Sequence, residues 1–376
     1  MDNHKPSKDL FVPVDRTDEQ SEKIERPSLS FWQDSFIRLR KNVGAMIGLA
    51  VLVILALLAI FGPYMNDHGQ YEQDLSRAKV PPKVDGLGWL GMDGTLSDVI
   101  EADSVEDAEQ KALMRFNNQE EFITTEVLND GSNGEQVEVK ATLDVYSARN
   151  IEENFWFGTD GLGRDQWTRT WMGTRVSLYI AFLAAAIDMV IGVAYGGISA
   201  YYGGRVDNYM QRVIEILVGI PNLVLIILMI LILDPGILSI TIALAISGWI
   251  SMARIVRGQI LKLKNQEFVL ASRTLGAKDS RILQRHLIPN VLGLIIINTM
   301  FSIPSAIFFE AFLSFIGLGL PTPMASLGTL IDAGFKSLQI YPHILLFPAI
   351  IISLVMIAFN VLADGLRDAF DPKMRE

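Results

Sequence analysis

Apolar residues gather into six long runs, at roughly 43–64, 175–200, 213–233, 237–253, 287–309 and 344–363, separated by polar and charged segments. A helix needs about 20 residues, each rising about 1.5 Å, to cross about 30 Å of hydrocarbon. The runs meet or approach that length and carry few charges. Apolar runs also occur in buried helices of large soluble proteins, but six of them in 376 residues point to a bilayer. The pattern therefore predicts an all-α polytopic membrane protein with about six transmembrane helices.

Between the first two runs the pattern changes. In "SVEDAEQKALMRFNNQEEF" (104–122), Val105, Ala108, Ala112 and Phe116 recur at helical spacing, and Ser104 with Asp107 fits an N-cap. "ITTEVLND" and "EQVEVKATLDVY" flank "GSNG" and read as a hairpin. A small α+β insert over 66–155 is expected; the other reading is a loose acidic loop. The predicted organisation is a disordered tail at 1–30, an amphipathic start and first helix at 31–65, the insert, and a five-helix membrane core at 156–376. No apolar stretch precedes position 43, so the first span is expected to act as an uncleaved anchor. "FWF" at 155–157 with Trp167 and Trp171 reads as an interfacial segment, held at the surface by Arg164, Arg169 and Arg175.

Charge fixes the expected orientation. Segment 66–155 holds 7 Lys and Arg against 20 Asp and Glu, a net of −13 in a chain of −10, which leaves the remainder at +3. Lys and Arg cluster in alternate short loops: Arg38, Arg40 and Lys41; Arg205 and Arg212; the segment from Arg254 to Arg285; and Arg367, Lys373 and Arg375. By the positive-inside rule both termini are cytoplasmic and the acidic insert is outside.

Candidate chemistry narrows the picture further. The chain has no Cys, which excludes disulfides and thiolate ligands, and its four His have no metal-ligand spacing. "GLGWLG" (86–91) matches a dinucleotide fingerprint but lacks the flanking strand and helix. No Walker A sequence and no hydrolase or metalloprotease motif is present, so no enzyme activity, metal site or nucleic-acid partner is expected. Span four carries Ser247, and span five carries Asn298, Ser302 and Ser305, with Glu310 at its outer end. These either line a polar path or hydrogen-bond between packed helices. Asp188 is a charge inside an apolar run, beside Gly192, Gly196 and Gly197. It is expected to be a buried structural partner rather than a path residue. Pro221 and Pro304 are expected to kink their helices.

The stretch "EFVLASRTLGAKDSRILQRHLIPN" (267–290) lies between spans four and five. Gly276 suits the left-handed residue that ends a short helix. Asp279 or Ser280 is the expected N-cap of a second helix, which runs into Pro289. Small Ala271 and Ser272 admit a close approach, and Lys and Arg form a cationic rim. A solvated loop held on anionic headgroups is the other reading.

This stretch resembles the cytoplasmic coupling motif of ABC importer permeases, with Gly276, Ile288 and Pro289 at matching places. The family's E-A-A falls on Leu270, Ala271 and Ser272, so its Glu is absent, and His286 stands at a usual Ile. "FGTDGLGRD" (157–165) with "GTRVSLYIA", "EAFLSFIGLGLPTPMASLGTLI" (310–331), "DGLRDAFDPKMR" (364–375) and "FWQDSFIRLRKNVGAMIGLAVL" at the first span are similar to C-type permease subunits of bacterial oligopeptide and dipeptide importers. The resemblance implies a type I importer permease in the bacterial cytoplasmic membrane. It also implies a homologous second permease, two cytoplasmic ATPase subunits using ATP and Mg, and an extracytoplasmic peptide-binding lipoprotein, with no cofactor bound by this chain. ATPase docking would fall on Glu267, Ala271, Ser272, Arg273, Thr274, Leu275, Gly276, Lys278 and Asp279. The insert is expected to serve as a platform for the lipoprotein or the partner permease. Nickel import within the same family and an ATP-independent transporter are the alternatives.

Overall fold

A computed structural model describes residues 30–116, 119–130 and 136–370. The tail before Ser30 and the turn "GSNG" fall outside them. Helix α1 (Phe31–Lys41) starts on a capping box between Ser30 and Gln33. Asn42 ends it and caps α2 (Val43–Phe61), the first apolar helix, by accepting from the Ala45 backbone N–H.

A lobe between α2 and the remaining apolar helices holds β1 (Thr95–Ala102), α3 (Val105–Arg115), β2 (Ile123–Asn129), β3 (Val137–Asp144) and α4 (Val145–Arg149). The sheet is antiparallel with β3 in the centre. Strict alternation along β3 buries Val137, Val139, Ala141 and Leu143, and α3 covers this face with Ala108 and Ala112. Three expectations change. β1 was not read as a strand, because Ser97, Asp98 and Glu101 interrupt its apolar pattern. The helix expected over 104–122 stops at Arg115. Val145 and Tyr146, read as the end of the hairpin, begin α4 because Asp144 accepts from both the Tyr146 and Ser147 N–H groups. Partial burial pushes the Asp144 carboxyl up, but the bonds from Ser147 and Tyr146 outweigh it and hold the group below its ordinary range.

The lobe is also smaller than the expected 66–155. Residues 77–83 pair with 155–160 as a seam at its base, and Val80 and Phe155 share the buried cluster of Ala112, Ala141, Leu143 and Tyr146. Thr159 N–H donates to Val80 O (2.9 Å), Lys83 N–H to Phe155 O (2.9 Å) and Lys79 N–H to Asp160 O (2.9 Å).

The membrane body continues with α5 (Gln166–Tyr202), α6 (Gly204–Val218), α7 (Asn222–Leu233), α8 (Ile237–Leu263), α9 (Glu267–Thr274), α10 (Asp279–Ile282), a π-helical turn (Leu283–Leu287), α11 (Ile288–Phe315), α12 (Leu327–Phe335) and α13 (His343–Phe370). Five helical runs are long and apolar enough to cross a membrane, or six if α6 and α7, bent by 83°, count as one span. The expected third span therefore exists only as this bent pair. Pro221 lacks an N–H and disfavours helix at Ile220, so the chain breaks there. Pro304 sits inside α11 without ending it. Pro348 in α13 cannot bond the carbonyl of Ile344, and Gln166 Nε2 donates to that oxygen instead (3.1 Å).

α5 begins earlier than expected, so Trp167 and Trp171 lie in its first turns and do not form a separate interfacial segment. Nor do Arg164 and Arg169 mark the surface. Both are buried, with Arg164 Nη2 2.7 Å and Arg169 Nε 3.4 Å from Asp160. Arg175 spends its donors on the last carbonyls of α2, at Ala59 and Ile60 (2.9 Å each). Helix α5 packs most extensively against α8. A side chain at Gly192 would meet Met252 Cβ at 2.6 Å, and one at Gly196 would collide with the Ala253 carbonyl. Glycine at both places sets the approach of the two helices. Gly197 has more room, its nearest neighbour being Leu283 Cδ1 at 3.5 Å.

Candidate functional site: an intramembrane cavity and an exposed helical elbow

Four helices wall a cavity of about 330 Å3. Each contributes residues three or four apart, the spacing that puts side chains on one helical face. α5 gives Ala184 and Asp188. α7 gives Asn222 and Ile226. α8 gives Leu244, Ser247, Gly248, Ser251 and Met252, and α11 gives Asn298, Phe301, Ser302, Ser305, Ala306 and Phe309. Four of the five expected path residues, Ser247, Asn298, Ser302 and Ser305, are thus brought together. Ser251, one helical turn after Ser247 and expected with it among the polar residues of span four, lines the cavity too, whereas Asn222 was missed. Ser247 Oγ is hydrogen-bonded to Asn222 Oδ1, and Asn298 Nδ2 lies 3.7 Å from Met252 Sδ. Ser302 and Ser305 return their hydroxyls to the carbonyls of Thr299 (2.8 Å) and Phe301 (3.2 Å).

Glu310 stands apart, and its expected place on the path is corrected. It is wholly buried, accepting from Ser177 Oγ (2.8 Å) and Ser314 Oγ (3.0 Å). Ser177 in turn accepts from the Leu327 N–H at the start of α12 (3.0 Å). Glu310 therefore ties α5, α11 and α12 together. Asp188 is buried, as expected. It faces the cavity at 8% exposure, and its Oδ1 has no hydrogen-bond partner among the described residues, so the structural partner expected for it is not found.

Beyond α8 the chain forms an elbow. α9 ends at Thr274, and Gly276 takes φ +79°, as its expected role requires. The Ala277 N–H donates to Ser272 O (3.1 Å) and the Gly276 N–H to Arg273 O (3.0 Å), the paired bonds of a Schellman motif. Asp279 is the first residue of α10, where the sequence reading had it or Ser280 as the cap; its Oδ1 accepts from Tyr201 OH (2.6 Å). Arg273 lies over the Tyr201 ring, 5.6 Å from its centroid. Glu267, Ala271, Arg273, Thr274, Leu275, Gly276, Lys278 and Asp279 are exposed, and Ser272 is half-buried. Leu275 is 87% exposed, and Phe268 and Leu270 are exposed beside it, while Val269 and Ile282 anchor the elbow in a buried cluster with Val256, Ile260 and Leu287.

The elbow is bound to the C-terminal end of α5 by more than Tyr201. Lys264 Nζ donates to Ala200 O (2.8 Å). Arg257 makes a two-pronged pair with Asp207 of α6 (2.7 and 2.6 Å), and Ser199 Oγ donates to the same carboxylate (2.5 Å). This latch went unread in the sequence, because its members lie 50 residues apart.

The family model described as binding-protein-dependent transport system inner membrane component matches residues 190–376, and the model described as N-terminal TM domain of oligopeptide transport permease C matches residues 30–82. The chain is 40% identical to the oligopeptide transport system permease protein OppC of Bacillus subtilis (strain 168) over 98% of both chains. It is also 40% identical to the dipeptide transport system permease protein DppC of that organism, over 97% of this chain and 93% of that one. A chain of the MetNI methionine ABC transporter, solved in an inward-facing conformation, is 18% identical with a TM-score of 0.41, over 52% of this chain and 94% of that chain.

Proposed function

The chain belongs to the permease subunits of oligopeptide and dipeptide ABC transporters, and from that premise we propose that its cavity is half of a peptide path and its elbow the dock for an ATPase. What carries this reading is one connection. The exposed elbow joins α8 directly to α11, and both wall the cavity. Through Tyr201–Asp279 and Lys264–Ala200 it also holds α5, a third wall. A displacement of α9 therefore reaches three of the four cavity helices as a block. That is what alternating access around a midplane site requires.

In this reading a homologous second permease closes the path. Two cytoplasmic ATPase subunits bind ATP and Mg, which this chain does not. Both termini are cytoplasmic, the membrane is the bacterial cytoplasmic membrane, and the outer lobe receives an extracytoplasmic peptide-binding lipoprotein. The apolar tip Leu275, flanked by Leu270 and Phe268, supplies the buried area for docking, with Ala271 and Ser272 allowing close contact.

Affinity purification of the complete transporter tests the dock. Leu275→Asp should leave the chain inserted and paired with its second permease while releasing the ATPases. ATPase recovery equal to wild type from both Leu275→Asp and Ala271→Trp would sink the docking role.

A further inference from the structure

Five acidic side chains are buried in the described residues: Asp160, Asp165, Asp188, Asp207 and Glu310. Four have partners within the chain, although Asp165 keeps one buried oxygen, Oδ1, unpaired. Asp160 holds Arg164, Asp207 holds Arg257, Asp165 accepts from the Thr168 N–H and from Asn66 Nδ2, and Glu310 accepts from two serines. Asp188 has no such partner, and its Oδ1 is buried and unpaired. A carboxylate left this way inside a membrane is costly, and such groups serve a ligand or a path.

The surroundings make room for one. Gly248 lies directly against the Asp188 carboxylate, and any side chain there would collide with it. The other polar residues on the wall, Asn222, Ser247, Ser251, Asn298, Ser302 and Ser305, are uncharged, so Asp188 supplies the cavity's only formal charge among the described residues. Their oxygens are suited to the remaining donors of a group that has three N–H bonds and one positive charge.

We propose that Asp188 is a specificity residue of the cavity that binds the ammonium group of a passing peptide, either its free amino terminus or a lysine side chain. The inference rests on the reading of the cavity as the peptide path. The contact neutralises the buried carboxylate while the peptide is inside and leaves it unsatisfied when the peptide departs. The cavity therefore favours cationic groups over neutral ones.

The complete transporter, held with a non-hydrolysable ATP analogue, is treated with dicyclohexylcarbodiimide, and labelling of Asp188 is read by mass spectrometry. Three peptides of equal length are compared: one with a free amino terminus and no lysine, one N-acetylated with a lysine, and one N-acetylated with norleucine in its place. Peptides bearing an ammonium group should reduce labelling about tenfold or more relative to the neutral one. Protection by only one of the two identifies which ammonium is bound. Equal labelling with all three peptides overturns the proposal. So does an Asp188 that resists the reagent without any peptide, as pairing with the second permease would make it. Uptake separates this failure from failure of the path reading. Ser302→Trp fills the cavity, and normal uptake by that variant removes the path itself. A block by Ser302→Trp, together with Asp188→Asn and Asp188→Glu that keep the wild-type preference for cationic peptides, removes only the role of Asp188.

Discussion

Asp160 sits between two guanidinium groups with all three side chains nearly buried. Removing its charge leaves Arg164 and Arg169 without their counter-ion in a dry seam, which costs about 3–5 kcal/mol. Asp160→Asn should accordingly lower the thermal unfolding midpoint of the detergent-solubilised protein, whereas Glu215→Gln, in the exposed pair with Arg212, should leave it nearly unchanged. Equal midpoints for Asp160→Asn and wild type would show the seam to be dispensable. At this scale the sequence misled in a consistent way. Arg164 and Arg169 looked like surface markers and Glu310 like a path residue, because a charge in a sequence carries no record of its partner. Gly276 was legible, since its conformational need is local and only glycine meets it cheaply.

The elements divide along the same line. Helices α2, α8, α11 and α13 were visible as apolar runs because each buries or exposes to lipid nearly its whole circumference. Strand β1 was not, because a strand at the edge of a sheet needs little apolar alternation of its own. The pairing of Thr95 with Asp144 brings the two ends of the lobe together, and the Val145 N–H reaches Gly94 O at 3.4 Å. Residues 95–144 can therefore be excised by joining Gly94 to Val145, which keeps the backbone bonds of 77–83 with 155–160 while removing Ala112, Ala141 and Leu143 from the cluster they share with Val80 and Phe155. The expected outcome is a chain that inserts and assembles but takes up peptide poorly, with weakened association of the binding lipoprotein. Wild-type uptake and lipoprotein affinity in this deletion would discard the platform role.

For the whole molecule, the question is whether the bent pair α6–α7 crosses the membrane. Six crossings place both termini on one side; five place them on opposite sides. The chain has no Cys, so single introduced cysteines report without background. Ser7→Cys and Lys373→Cys should react with an impermeant maleimide only in inside-out vesicles, and Glu106→Cys only in intact cells stripped of outer barriers. Reaction of the two terminal cysteines from opposite faces would make α6–α7 a re-entrant pair. The sequence by itself determined the membrane class, the number of apolar runs, the polar faces of α8 and α11 and the elbow, because hydropathy, helical period and glycine conformation are properties of neighbouring residues. Tertiary structure alone decided that Asp188 lacks a partner while Glu310 and Asp207 have theirs. It also decided that α5 is latched to the elbow and that four helix faces meet in one cavity. Those facts depend on contacts between residues far apart in the chain, whose geometry exists only once the helices have packed.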